Sequence, residues 1–168
     1  MNERSTPWRD YEEVAQYLLN QFASHFRLGS VEGKQVVPGL SGVTWELDAK
    51  GTTIDGQGFV IVECRRRTSS RISQESAGAL AFRIKDTGAS GGIFVAPLDL
   101  QVGAKRIAAG SKIEHVTLDP ASTTTKYVMR FLNRVFLGVE DACSVTLKES
   151  VTIDVFEDGK RVDERHYE

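Results

Sequence analysis

A carboxylate and three guanidiniums come directly after the most apolar stretch of this sequence. Residues 59–62 are four consecutive apolar residues, which predict a strand buried on both faces, and Glu63, Arg65, Arg66 and Arg67 stand at its end. Strand alternation places Glu63 and Arg65 on one face. A carboxylate at the end of a buried strand is costly unless a cation, a metal ion or water meets it. The group that meets Glu63 therefore decides what this site does.

A second acid, Asp48, is predicted to lie beside Glu63. Residues 43–49 alternate between apolar and polar side chains, and a loop over residues 51–58 returns the chain into the 59–64 strand. The two strands form an antiparallel hairpin, so the faces that carry Asp48 and Glu63 come side by side. The simplest interpretation is an ordinary ion pair with the neighbouring arginines, worth about 0.2–1 kcal/mol across strands. A functional site is the alternative.

The composition describes one ordinary globular domain. The chain has 168 residues, of which 40% are hydrophobic and 26% charged, and its net charge of −2 gives no global basic field to attract a polyanion. The basic residues are local instead, with Arg71 after the arginine run and Lys105 and Arg106 as a second pair. A solvated surface is the ordinary interpretation of such runs.

The cysteines and the hydropathy pattern favour a reduced, cytoplasmic protein. Cys64 and Cys143 provide no disulfide framework, and Cys64 is predicted to be a small core residue. The sequence contains no run of about 18 apolar residues, and its N-terminus lacks the apolar segment of a signal peptide.

The elements that position these acids begin with an amphipathic helix from Asp10, after a loose lead-in over residues 1–9. Glu12 lies at the flank of the apolar stripe and can face a core-side cleft, whereas Glu13 lies opposite the stripe and is expected in water. The stripe itself consists of Tyr11, Val14, Ala15, Leu18, Leu19 and Phe22.

Helices and strands alternate after the arginines. Helices are predicted over residues 70–86 and 100–109, and strands over residues 93–96 and 113–118. The order strand, helix, strand indicates parallel crossovers on one sheet. We therefore predict an α/β fold in which helices flank a mixed central sheet.

The tail is expected to form a C-terminal helix and β-hairpin extension. The spacing of its apolar residues predicts a helix over residues 125–139. Strands are predicted over residues 145–147, 151–156 and 161–166, with a turn at residues 158–159. This divides the chain into a core over residues 1–122 and an extension over residues 123–168, packed on the same domain.

The ordered set of these motifs resembles the Mrr-type restriction endonuclease family, within the PD-(D/E)XK nuclease superfamily. The resemblance covers about residues 10–120 and implies a restriction-endonuclease-like fold. The matching residues are Tyr11, Glu12, Ala15, Leu18 and Leu19, residues 41–48, residues 60–66, Gly78 and Ala79, residues 92–96, Ala104 and Ala108, and residues 113–119.

The resemblance implies Mg²⁺- or Mn²⁺-dependent cleavage of a DNA phosphodiester, by a nuclease of a defence or repair system. By this resemblance Asp48 and Glu63 would hold the metal, with the backbone carbonyl of Cys64 available as a third ligand. Mg²⁺ prefers oxygen ligands and would lower the pKa of the attacking water. Glu12 matches the family's helix acid. By this resemblance it would support the metal ligands without binding the first ion itself, or would act on a second ion.

One position departs from the family pattern, because Arg65 stands where the family has lysine. A guanidinium stays protonated, so Arg65 can clamp a phosphate or stabilise charge but cannot act as a base. Lys50 offers an amine near the site instead. The departure favours an alternative function, a catalytically inactive nuclease-like domain that binds DNA or scaffolds a protein partner.

The expected DNA contacts are assigned to the basic run. Arg66, Arg67 and Arg71 would contact phosphates, which makes DNA binding steeply dependent on salt, and Gln74 is a further candidate contact. Glu46, on the same face as Asp48, is expected to be an ordinary exposed carboxylate. A third hypothesis is a homodimer formed through the tail.

Overall fold

The computed structural model of the chain describes residues 7–122, 127–131, 134–138, 143–147, 151–157 and 160–167. The α-helices in these ranges are α1 (Pro7–Gln21), α2 (Gln74–Thr87) and α3 (Val102–Gly110), and a short 3₁₀ helix spans Ala23–Phe26. None of the described helices is long and apolar enough to cross a membrane.

A seven-stranded sheet forms the centre of the molecule. Its order is β1 (Leu28–Glu32), β4 (Ala49–Thr53), β5 (Phe59–Cys64), β6 (Gly91–Ala96), β7 (Ile113–Leu118), β8 (Tyr127–Phe131) and β9 (Arg134–Gly138). The strands β5, β6 and β7 are parallel, whereas all other neighbours in this sheet are antiparallel. Since α2 links β5 to β6 and α3 links β6 to β7, the predicted α/β fold with a helix-flanked mixed sheet is confirmed.

The sheet separates two hydrophobic cores, which explains why β5 and β6 are apolar on both faces. Ile61 and Phe94 face one core, whereas Val62 and Val95 face the other. The helix α1 packs on the Val62 side, and α2 and α3 pack on the Ile61 side. Glu63 shares the face of Ile61, so its side chain lies on the α2 side of the sheet.

The predicted strand over residues 43–49 is divided at Asp48. Its first part, β3 (Thr44–Leu47), pairs with β2 (Gln35–Pro38) in a separate two-stranded ribbon. Its last residue begins β4, which pairs with β5 in the register Ala49 to Val62. Leu47 and Ala49 are both buried, but they lie in different cores. The chain therefore passes from the ribbon to the main sheet at Asp48.

The strand that pairs with β5 also extends into the predicted loop over residues 51–58. Thr52 and Thr53 belong to β4, because β-branched residues suit a strand. Gly51 permits the close packing at this point, since a Cβ there would lie 2.7 Å from Leu28 Cδ1 and 2.9 Å from Val60 Cγ2.

The helix predicted over residues 125–139 is wrong, because this segment contains β8 and β9. Met129 and Phe131 are buried and Arg130 is exposed, which is the alternation of a strand, and β8 pairs with β7. The apolar spacing fits a helix nearly as well, but aromatic and β-branched residues favour strands and the edge of β7 requires a partner. The main sheet thus continues past the boundary predicted at residue 122.

The last strands form a separate three-stranded antiparallel sheet, and the predicted strands in this region are confirmed. They are β10 (Cys143–Leu147), β11 (Val151–Glu157) and β12 (Lys160–Tyr167). The predicted turn at residues 158–159 lies outside the described residues.

Side chains of α1 cover part of the β1 edge of the main sheet. Gln16 Nε2 donates to the backbone oxygen of Val31 at 2.8 Å, and the Val31 N–H donates to Asn20 Oδ1 at 2.8 Å. These bonds satisfy the two backbone groups of Val31 that a further strand would use.

Candidate functional site

Asp48 and Glu63 are brought together where the ribbon joins the main sheet. Because Ala49 pairs with Val62, the residue before Ala49 lies beside the residue after Val62. Asp48 Oδ2 accepts a hydrogen bond of 2.7 Å from the backbone N–H of Cys64. This bond fixes the Asp48 carboxylate at the end of β5 and leaves its second oxygen outside that bond.

Two arginines meet the buried Glu63 carboxylate. Arg65 Nη2 lies 2.7 Å from Oε1, and Arg83 Nη1 lies 2.8 Å from Oε2. Burial raises the pKa of Glu63 and the negative charge of Asp48 raises it further, whereas Arg65 and Arg83 lower it. Of the groups that could meet this carboxylate, the structure shows two guanidiniums.

The contact from Arg83 was missed by the sequence analysis. Arg83 lies on α2, between the buried residues Leu80 and Ile84, so it stands at the flank of the helix face that packs on the sheet. Its guanidinium carbon is 5.2 Å from the centre of the Trp45 ring. Only one feature of the sequence pointed to this contact. Arg83 is a cation at the flank of the buried face of α2, which packs on the same side of the sheet as Glu63.

A second buried acid, Asp86, accepts a hydrogen bond from Trp45. Trp45 Nε1 donates to Asp86 Oδ2 at 2.7 Å, and Ser41 donates its N–H to Oδ1 at 2.8 Å and its hydroxyl to Oδ2 at 2.7 Å. The hydrogen bond from Trp45 lowers the pKa of Asp86, and the bonds from Ser41 act in the same direction. The ribbon is thereby tied to α2 through neutral donors.

Glu12 enters the site from the α1 side, as its place at the flank of the helix stripe predicted. It lies 3.0 Å from Lys34 Nζ, and contact with Glu12 raises the pKa of Lys34. Glu13 is exposed, as predicted. Both acids line a cavity of about 240 Å³ together with Gln16, Gly33, Lys34 and Asp48. This cavity gives Asp48 access to a ligand, whereas Glu63 does not line it.

Cys64 contacts Asp48 through its backbone N–H, and its side chain is buried. Burial raises the pKa of the thiol well above its ordinary value, and Asp48 and Glu12 add to that effect. Lys50, considered as a substitute amine, lies with its Nζ 4.9 Å from the centre of the Phe59 ring. That cation–π contact accounts for Lys50 without a role at the acids.

The basic run lies beside Glu63, at the end of the parallel strands. Arg65, Arg67 and Arg71 are exposed and Arg66 is half-buried. Gln74 is the first residue of α2 and packs on α3, since a Cβ on Gly103 would lie 2.4 Å from Gln74 Oε1. The structure thus places the Arg65 side chain on Glu63 and ties Gln74 to a neighbouring helix.

Comparison with known proteins identifies a shared fold. No protein-family model matches the chain, and no curated protein sequence matches it. The crystal structure of AF1548, a protein of unknown function, is similar with a TM-score of 0.51 and 14% sequence identity over 62% of this chain and 56% of that one.

Two further solved structures are similar over a comparable length. A repair endonuclease from Pyrococcus abyssi has a TM-score of 0.43 at 21% identity, covering 71% of this chain and 50% of its own. EndoMS in its apo form has a TM-score of 0.39 at 24% identity, covering 66% of this chain and 45% of its own. The chain thus spans about half the length of each of the three matched proteins.

Proposed function

We propose that this chain is a metal-dependent DNA nuclease, with Asp48 and Glu63 as the carboxylates that hold Mg²⁺ or Mn²⁺. The observation that carries the proposal is that Asp48, at the break between β3 and β4, lies beside Glu63 on β5 and lines a cavity together with Glu12. This is the arrangement that the resemblance to the Mrr-type family requires of these residues. The arginines beside Glu63 provide positive charge for a phosphate backbone.

The donor set suits a hard divalent cation, although it is incomplete by itself. Among the described residues, no three acids, histidines or cysteines converge on one point. Mg²⁺ is commonly held by one or two carboxylates, with water and substrate phosphates as the other ligands. Asp48 has an oxygen outside its bond to Cys64, but both oxygens of Glu63 contact arginines. The set therefore fits Mg²⁺ once one arginine leaves Glu63.

Each residue has a distinct part in the proposed reaction. A metal held by Asp48 and Glu63 would polarise the phosphate and lower the pKa of the attacking water. The Cys64 N–H keeps Asp48 oriented, and Glu12 holds Lys34 at the rim of the cavity. A guanidinium does not act as a base, so Arg65 stabilises phosphate charge and does not take the proton from water. Arg66, Arg67 and Arg71 contact neighbouring phosphates and align the duplex.

One observation favours a second function, a catalytically inactive nuclease-like domain that binds DNA. Arg65 and Arg83 already neutralise the Glu63 carboxylate, so the site is electrostatically satisfied without a metal. Metal binding separates the two functions, because a DNA-binding or scaffolding domain does not require it.

The deciding experiment is cleavage of supercoiled plasmid, methylated and unmethylated, with Mg²⁺ or Mn²⁺. We expect wild-type protein to nick the plasmid and Asp48→Ala to lose at least about 100-fold of that rate, because a direct metal ligand matters at least as much as the residues that support one. Glu46→Ala is the matched control, since it removes an exposed carboxylate two positions away on β3. Absence of cleavage with either metal, together with absence of Mn²⁺ binding by calorimetry, would leave only the inactive domain.

A further inference from the structure

The two arginines on Glu63 are held to very different degrees. The Arg83 side chain is 23% exposed and lies against Trp45, which is itself fixed by its bond to Asp86. The Arg65 side chain is 48% exposed. The backbone N–H of Arg65 donates to Val95 O at 2.8 Å, so the main chain is fixed while the side chain extends towards solvent. Arg83 is therefore held by Trp45 as well as by Glu63, whereas the more exposed Arg65 side chain can turn away from Glu63.

Glu63 can stay ionised if it loses its contact with one arginine, but not if it loses both. An ionised carboxylate buried without any cation is strongly unfavourable. If Arg65 turns away, Arg83 still holds Oε2, so Oε1 is released while the carboxylate stays paired and oriented. Arg65 then needs an anion of its own, and a DNA phosphate suits the planar fork of a guanidinium.

We infer that Arg65 is an exchangeable arm that closes on Glu63 in the free protein and transfers to a DNA phosphate in the complex, which makes Glu63 Oε1 available to the metal only when DNA is bound. The inference rests on the proposed function, because it concerns the same metal and the same substrate. Arg83 is the positioning residue that keeps Glu63 in place during the exchange. DNA and metal therefore bind cooperatively, and each tightens the binding of the other by the same factor.

The test measures Mn²⁺ affinity by electron paramagnetic resonance, using the full chain with and without a short phosphorothioate duplex. For wild type, we expect the duplex to tighten Mn²⁺ binding by about tenfold. Arg65→Ala should bind Mn²⁺ more tightly than wild type does without DNA, and the duplex should tighten its Mn²⁺ binding by a smaller factor than in wild type, because only the phosphate ligand is still to be gained. Lys85→Ala is the charge-matched control, because it removes an exposed cation from the last turn of α2 and should behave like wild type.

The outcomes separate this inference from the proposed function. If wild type and Arg65→Ala bind Mn²⁺ equally without DNA, and the duplex tightens both by the same factor or by none, the exchange is overturned while the metal site stands. If neither protein binds Mn²⁺ in any condition, the metal site and the exchange both fail. If Lys85→Ala binds Mn²⁺ as tightly as Arg65→Ala does, the gain reflects net charge, and the exchange is again overturned.

Discussion

Glu63 and Asp86 are both buried acids with 6% of their surface exposed, yet their surroundings differ in kind. Glu63 contacts two guanidiniums, and burial together with Asp48 raises its pKa. Asp86 accepts hydrogen bonds from Trp45 and Ser41, and these bonds lower its pKa. Trp45 contacts the surroundings of both acids, because its ring lies against Arg83 and its Nε1 donates to Asp86.

The difference separates an acid that can change partners from an acid that holds the fold. The partners of Glu63 are charged, and one of them is half exposed, so a phosphate or a metal can compete for either side of the pair. The partners of Asp86 are neutral donors, the Trp45 indole on β3 and the N–H and hydroxyl of Ser41 between the two strands of the ribbon. Asp86 therefore acts as a clasp between the ribbon and α2.

The largest expected effect is on catalysis, and it should fall on only one of the two acids. Glu63→Gln should lower plasmid cleavage by at least about 100-fold, because an amide is a poor ligand for a divalent cation. Asp86→Asn should lower cleavage by less than about tenfold at a temperature where circular dichroism shows both variants folded. Equal losses would contradict the comparison and make Asp86 part of the reacting site.

The next largest effect is on the free energy of unfolding, and it concerns only the contacts of Asp86. A Cβ on Gly39 would lie 1.9 Å from Asp86 Oδ2 and 2.9 Å from Trp45 Nε1, so Gly39→Ala must disturb the clasp. We expect a loss of about 1–3 kcal/mol in the free energy of unfolding, measured with urea.

Gly78→Ala is the matched control for that substitution. Gly78 lies within α2, and nothing stands within 4 Å of an added Cβ. The same change should therefore stabilise the protein by about 0.5–1 kcal/mol, because alanine favours a helix. If Gly39→Ala were as stable as wild type, Asp86 and Trp45 would be able to move apart at little cost in free energy.

The smallest effect is a pH dependence that belongs to Asp86. Its pKa in the folded protein lies below the ordinary value of 3.8, so the unfolded chain takes up the proton more readily. The stabilisation from Asp86 is thus present above pH 3.8 and is lost as the pH falls through the lower, folded pKa. The gap in unfolding free energy between wild type and Asp86→Asn should narrow as the pH falls through that range in urea titrations. If the difference in unfolding free energy between wild type and Asp86→Asn grew as the pH fell, the prediction would be contradicted.

Much of the fold was predictable because local patterns carried it. The apolar runs of β5, β6 and β7 and the apolar stripe of α1 show from local sequence alone which faces are buried. The segment after residue 124 was not predictable in this way, since Tyr127 and Phe131 fit a helical stripe and an alternating strand alike. Pairing with β7, more than eight residues earlier in the chain, decided between them.

The approach of Asp48 to Glu63 and an arginine neighbour for Glu63 were predictable, but the contacts from α2 were not. Asp48 and Glu63 were located by the strand pattern and the family resemblance, and the hairpin placed them on neighbouring strands. Arg83 and Asp86 come from α2, and their contacts depend on how that helix turns against the sheet and the ribbon. Helix periodicity gives the face of α2 that is buried, but not which residue at its flank reaches an acid.

The bonds from Gln16 and Asn20 to Val31 have a consequence for the chain in crowded solution. An uncovered edge strand offers its backbone to any extended segment, which is how sheets grow into aggregates or exchange strands between copies. At Val31 an incoming strand would have to displace two side chains of α1 before it gained a single hydrogen bond. Growth of the sheet by strand addition would therefore have to begin somewhere other than this point on β1.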